Sequence, residues 1–293
     1  MTRWQATRSF VLAALVPVAV FGVPVSATSQ TFTAIEYPGA MHTRVFGINP
    51  RGDIAGFHIN LDGTFHGLLR DADGTLSSFD VPGAVFTAAI GINPRGDVVG
   101  FYATTPGIFH GFLLRRGQLT TIDFPGAVST DALGIGASGD IVGNYRDGAG
   151  RVHGFHLRKG VFATIDVPGA TYTEAFQISP QGHIVGNYQV GAVSHEFLLV
   201  DGAFTAIDFP GAVATGGPLF GVGINPQGAI VGQYRDTVGR THGFLLDAGE
   251  YTSIDFPDST AMATVATAIN PRGDIVGRYR DATGKDRGYL MER

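Results

Sequence analysis

The sequence predicts an all-β fold, a six-bladed β-propeller of four-stranded antiparallel blades. Three observations predict it: six tandem repeats of about 43 residues, four short apolar-alternating segments in each repeat, and abundant glycine without helical periodicity. The repeats start near residues 31, 74, 117, 160, 202 and 249. Their shared prolines, Pro38, Pro82, Pro125, Pro168, Pro210 and Pro257, step by 44, 43, 43, 42 and 47 residues. The 43 glycines follow no Gly-X-Y period, so they signal tight turns between short strands. Residues 31–293 are consumed by repeats, which leaves one domain over 28–293.

The first strand of each repeat enters an Ile-Asn-Pro block, as at Gly91-Ile92-Asn93-Pro94 and Gly223-Ile224-Asn225-Pro226. Asn-Pro-Arg-Gly then suits a hairpin loop, because Pro presets φ and Gly accepts a positive φ. The second strand reads Asp-Ile-Val-Gly-x-Tyr and the third His-Gly-Phe-Leu-Leu, joined by turns such as Asp147 to Gly150 and Asp236 to Gly239. The fourth reads Thr-x-Ile-Asp-Phe, reached through the two-residue turns Arg116-Gly117, Lys159-Gly160, Asp201-Gly202 and Ala248-Gly249. Such x-Gly pairs suit type I′ turns. Four antiparallel strands in this length make one propeller blade.

Turn positions fix the register. With Arg116-Gly117 as the turn, His110 faces Asp123, and the same arithmetic sets His153 on Asp166, His195 on Asp208 and His242 on Asp255. His66 and Asp80 lie one residue further apart, which predicts a bulge in that hairpin. In the sixth repeat the His position holds Arg287, and no acidic strand follows it before Arg293. The unpaired acidic strand is at the other end, with Glu36 in the Asp position. A basic and an acidic partner are thus preserved, and the N-terminal strand around Thr33 to Tyr37 is expected to complete the sixth blade and close the ring. Closure removes the free edges of an open array.

Arg3 and Arg8 precede an apolar run from Phe10 to Val25, and Val25-Ser26-Ala27 places small residues at a signal-peptidase site. Residues 1–27 are therefore expected to be a cleaved signal peptide and the product secreted or periplasmic. The run contains Pro17 and Pro24 and falls short of the roughly 20 residues that span a bilayer, so no stable membrane anchor is expected. The formal net charge of −5 becomes −7 after cleavage, which disfavours nucleic acid. The absence of cysteine excludes disulfides and thiolate metal sites.

Together, Gly-Ile-Asn-Pro-x-Gly-Asp-Ile-Val-Gly-x-Tyr, His-Gly-Phe-Leu-Leu and Ile-Asp-Phe-Pro-Gly-Ala resemble the HAF family of probable extracellular repeats in bacteria. The resemblance covers residues 31–293 and departs at His195-Glu196-Phe197 and Arg287-Gly288-Tyr289. It implies an extracytoplasmic location and repeated modules, with no activity to transfer.

Chemistry-bearing residues are outweighed by structural readings. The His and Asp pairs could form half of a hydrolase triad, but they recur without a Ser at constant offset. The five His could bind metal only if they converged on the axis. Arg51-Gly52-Asp53, Arg95-Gly96-Asp97 and Arg272-Gly273-Asp274 spell an adhesion tripeptide, yet other repeats keep only its Gly. Asp147, Asp236 and Asp281 supply one carboxylate per loop, too few for calcium. Tyr102, Tyr145, Tyr188, Tyr234 and Tyr279, with His58 in the first repeat, read as packing between blades, with an aromatic binding face as the other use. Variable segments at Thr215 to Leu219 and Ser259 to Met262 are the places for specificity. No catalytic residue, metal site or cofactor is expected. The function predicted is a monomeric, non-enzymatic binding scaffold for an extracellular glycan or protein. The alternative is an extracytoplasmic hydrolase or lyase using the propeller channel.

Overall fold

The computed structural model describes residues 30–217, 221–258 and 260–293. The predicted leader, residues 218–220 and Ser259 lie outside them.

β1 (Thr31–Ile35) comes first in the chain. Blade one follows as β2 (His42–Ile48), β3 (Ile54–Ile59), β4 (Phe65–Arg70) and β5 (Leu76–Phe79). Blade two is β6 (Phe86–Ile92), β7 (Val98–Thr105), β8 (Ile108–Arg115) and β9 (Gln118–Ile122). Blade three is β10 (Ser129–Ile135), β11 (Ile141–Arg146), β12 (Val152–Arg158) and β13 (Val161–Ile165). Blade four is β14 (Tyr172–Ile178), β15 (Ile184–Val190), β16 (Val193–Val200) and β17 (Ala203–Ile207). In blade five β18 (Ala214–Thr215) and β19 (Gly223–Ile224) share the inner position, followed by β20 (Ile230–Arg235), β21 (Thr241–Asp247) and β22 (Glu250–Ile254). Blade six is β23 (Ala263–Ile269), β24 (Ile275–Arg280) and β25 (Asp286–Glu292). No helix occurs among the described residues.

β1 supplies the fourth strand of blade six, antiparallel to β25, with Ile35 opposite Gly288 and Thr31 opposite Glu292. The inner strands touch in sequence around the ring, from β2 to β6, β10, β14, β19, β23 and back to β2. The strand entering Ile-Asn-Pro is therefore innermost, and the Asp-Ile-Val-Gly strand is second. Arg116, Lys159, Asp201 and Ala248 have φ near 50°, each followed by a glycine of positive φ, as type I′ turns demand. The bulge expected between His66 and Asp80 lies at the turn itself: Gly74, at φ 97°, donates its amide to the Asp71 carbonyl at 2.9 Å, which makes the G1 bulge of a three-residue hairpin loop. β4 and β5 pair without interruption, and the extra residue enlarges the turn, which Asp71 and Thr75 close with an amide-to-carbonyl bond of 2.9 Å.

Two devices hold neighbouring blades together. In every repeat the amide after the acidic residue donates to a threonine that begins the next inner strand. The pairs are Tyr37 with Thr43, Val81 with Thr87, Phe124 with Thr130, Val167 with Thr173, Phe209 with Thr215 and Phe256 with Thr264, at 2.8–3.2 Å. The second device is close backbone approach at the axis. A Cβ on Gly47 would lie 2.6 Å from the Ile90 carbonyl oxygen, and one on Gly91 would lie 2.8 Å from that of Leu133, so only glycine fits. Apolar clusters fill the spaces between blades, among them Val142, Ile165, Ala175 and Phe197 between blades three and four.

Candidate functional site

The histidines of the repeats are the residues that look most catalytic. Each Nδ1 meets its own aspartate: His66 with Asp80 at 3.0 Å, His110 with Asp123 at 2.9 Å, His153 with Asp166 at 2.9 Å, His195 with Asp208 at 2.8 Å and His242 with Asp255 at 2.7 Å. Arg287 meets Glu36 at 2.6 Å in the sixth copy. The other face of the contact is aromatic, with Tyr145, Tyr188 and Tyr234 stacked on His153, His195 and His242 at 5.0 Å. Phe124, Phe209 and Phe256 in turn stack on Tyr145, Tyr234 and Tyr279 at 3.7 Å. These side chains form packed ladders away from the axis, from the third-strand His over the second-strand Tyr and, in three copies, on to the Phe that follows the fourth strand of the preceding blade.

The Arg-Gly-Asp loops are also consumed internally. Asn49 Oδ1 accepts from the amides of Arg51, Gly52 and Asp53, and Arg51 reaches both Asp53, at 2.6 Å, and the Pro94 carbonyl of the next blade, at 3.1 Å. Arg95 makes the same reach to Ala137, Gln181 to Pro226 and Arg272 to Pro50. The aspartates of the opposite loops cap their own turns. The Arg151 amide leads the contacts that hold the Asp147 carboxyl low. Burial would raise Asp281, but bonds from Thr283, the Lys285 amide and Arg287 bring it down to about 2.

What remains are the residues that do not repeat. Inside the otherwise constant Ile-Val-Gly-x-Tyr strand, x is Phe57, Phe101, Asn144, Asn187, Gln233 and Arg278. None of the six is more than 7% exposed, although four are polar. The residue after the inner-strand threonine varies too: Arg44, Ala88, Asp131, Glu174, Gly216 and Val265. Both sets lie toward the Pro-Gly-Ala face, because inner strands start there and run to the Asn-Pro loops. Below them the bulged residues of five inner strands, and in blade five Val222 just before β19, close the axis. Phe46, Ile90, Leu133, Phe176, Val222 and Thr267 occupy that waist, around a cavity of about 30 Å³, which is too small for a sugar.

The mouth above this waist is electrostatically lopsided. Between blades three and four, Asn144 Nδ2 donates to Asp131 at 3.1 Å, and the Tyr172 hydroxyl bonds Glu174. Burial pushes Asp131 up to about 6 and Glu174 up to about 7, the latter helped by the nearby Asp131 charge. Between blades four and five, Glu196 replaces the glycine of His-Gly-Phe and is fully buried, with its pKa raised by burial. It accepts from the Gln233 amide at 3.2 Å, while Asn187 donates to the Gly217 carbonyl at 2.9 Å. The described part of the variable segment, Thr215 to Gly217, thus lies where β18 ends and the inner position of blade five is interrupted. On blades one and two the wall is aromatic, with Phe57, Phe65, Phe86, Phe101 and Phe109 packed on one another. Where blades six and one meet it is basic: Arg44, Arg278 and Arg280 all contact Asp286. Burial pulls the Arg278 guanidinium down to about 10.

Among the described residues, nine carry a buried side-chain polar atom without a hydrogen-bond partner, and six of them are at this mouth: Asp131, Asn144, Asn187, Glu196, Gln233 and Arg278. Buried polar atoms are ordinarily satisfied, so their concentration marks this region as the candidate ligand site. Sequence reasoning passed over these residues. The signal available was that x alone changes character inside a fixed motif.

No protein-family model and no curated protein matches the sequence. Solved structures do match in fold. TolB from Acinetobacter baumannii superposes with a TM-score of 0.59 at 14% identity, over 83% of this chain, which spans 64% of TolB's length. AofleA from Arthrobotrys oligospora gives a TM-score of 0.59 at 13% identity, over 90% of this chain and 86% of that one. Aleuria aurantia lectin, described as a six-bladed β-propeller with fucose recognition, gives 0.51 at 12% identity, over 89% and 90%. At these identities the likeness concerns the fold, and it agrees with six four-stranded blades.

Proposed function

We propose that this protein is an exported, non-enzymatic scaffold that binds a glycan at the Pro-Gly-Ala-side mouth of the propeller axis. The observation that carries this reading is the buried, non-repeating set at the x position, where amides and charges replace the aromatic residues of blades one and two. Asn144, Asn187 and Gln233 offer amide donors and acceptors suited to sugar hydroxyls, and Phe57 and Phe101 offer an apolar wall. Lectins similar in fold, Aleuria aurantia lectin and SapL1, are found in complex with α-methyl fucoside, which supports a glycan over a protein ligand. Export rests on residues 1–27, and membership of the HAF repeats on the motifs quoted above.

A glycan panel screened against the mature protein, followed by titration calorimetry, tests the proposal. Binding that weakens at least about ten-fold, or 1.4 kcal/mol, in an Asn144→Ala/Asn187→Ala variant is expected. A panel without any binder, or a variant that binds as tightly as the parent, would overturn it. A second reading is favoured by Asp131 and Glu174, two neighbouring carboxyl groups raised into the range of general acid–base work: an extracytoplasmic glycan hydrolase or lyase. Turnover in a hydrolase and lyase panel that Glu174→Gln abolishes would establish that reading instead.

A further inference from the structure

We infer that the junction of blades six and one holds a carboxylate-binding fork, centred on Arg278, for the acidic group of a uronate-containing glycan; this rests on the mouth being the ligand site.

Asp286 is fully buried and receives Arg44 Nη2 at 2.6 Å, Arg280 Nε at 2.9 Å and Arg278 Nη1 at 3.2 Å. Its own amide donates to His42 Nδ1 at 2.9 Å, so that imidazole nitrogen is an acceptor and adds no charge there. One carboxylate therefore faces three guanidinium groups, an excess of two positive charges. A lock for ring closure needs only one of them, and Arg44 already links blade one to Asp286 of blade six.

Geometry then points to the missing partner. Arg278 is 2% exposed, and its Nε and Nη2 have no hydrogen-bond partner. Those two nitrogens form one edge of the guanidinium plane, the edge that receives both oxygens of a carboxylate in parallel. The other arginines compared are paired differently: Arg51 and Arg272 end on their own aspartates and a neighbouring carbonyl, and Arg287 sits between Glu36 and Asp281. Side-chain exposure falls from 41% at Arg280 through 23% at Arg44 to 2% at Arg278, a gradient leading from the surface inward. The five other blades carry Phe, Phe, Asn, Asn and Gln at the Arg278 position, so the fork belongs to one junction only.

The test compares an oligogalacturonate, the matching neutral oligogalactoside and acetate, by calorimetry and thermal shift, on the mature protein and on Arg278→Met. The oligogalacturonate is expected to bind at least ten-fold tighter than its neutral counterpart, and Arg278→Met to remove that preference while melting no lower than the parent. Should Arg278→Met not fold, Arg44→Gln and Arg280→Gln replace it, each expected to reduce the preference several-fold. Equal affinity for the acidic and neutral oligomers, or an acidic preference that survives all these variants, overturns the fork. Neutral binding that still depends on Asn144 and Asn187 would leave the scaffold standing without it. Conversely, acetate stabilisation that depends on Arg278, in a protein that binds no glycan, would keep the fork and discard the glycan.

Discussion

Arg287 on β25 holds Glu36, just beyond β1, at 2.6 Å, and this ion pair occupies the place that His and Asp take in the other five blades. Glu36 is half-exposed, so the pair contributes only about 0.2–1 kcal/mol. The single variants Arg287→Glu and Glu36→Arg are each expected to lower stability, and the double variant to recover part of the loss. Chemical denaturation of all four proteins reads the coupling. Removing residues 31–37 has a larger expected effect, because it bares β25 as an open edge. That form should melt well below the parent and self-associate in light scattering.

Thr173 accepts the buried Val167 amide at 3.2 Å, one of six equivalent clasps between blades. Thr173→Val keeps the shape and leaves that amide unpaired. A loss of about 1–3 kcal/mol is expected in urea unfolding. A loss below about 0.5 kcal/mol would show that the clasp does not hold the blades.

Gln177 stands where blades one to three carry Gly47, Gly91 and Gly134, and its Oε1 accepts the Ile224 amide of the next blade at 2.7 Å. Restoring the repeat glycine should therefore destabilise rather than help. Gln177→Gly is expected to cost about 1–3 kcal/mol, by orphaning the Ile224 amide.

Glu174 gives the mouth a pH signature. Its folded-state pKa of about 7 exceeds the ordinary 4.5, and that of Asp131, about 6, exceeds 3.8. The folded chain binds more protons than the unfolded chain between roughly pH 4 and 7, so this contribution to stability falls as pH rises through that window. The Glu174 share is on the order of 3 kcal/mol. Glu174→Gln should flatten the decline between pH 5 and 8 in thermal melts, with the largest gain over the parent at the alkaline end.

Strand count, strand order, the type I′ turns, the His-on-Asp pairs and the Arg287 to Glu36 closure were legible in the sequence. Turn positions and period-two alternation fix register locally, and the same local signals recur six times. The extra residue between β4 and β5 was legible as a bulge, but its place was not: spacing does not say whether a bulge interrupts the ladder or sits at the turn, where Gly74 puts it. The candidate site was not legible. Asn144, Asn187, Gln233 and Arg278 have the polarity of surface residues, and only the assembled blades show them buried.

What the sequence determined by itself is the blade: a repeat of four strands, its turns and the partner that closes the last copy. What only the tertiary structure decided is which strand faces the axis and which residues meet there. The reason is distance along the chain. Equivalent positions are about 43 residues apart, and Arg44 lies 242 residues from Asp286, so it joins Arg278 and Arg280 on that carboxylate only when the ring brings blade one against blade six.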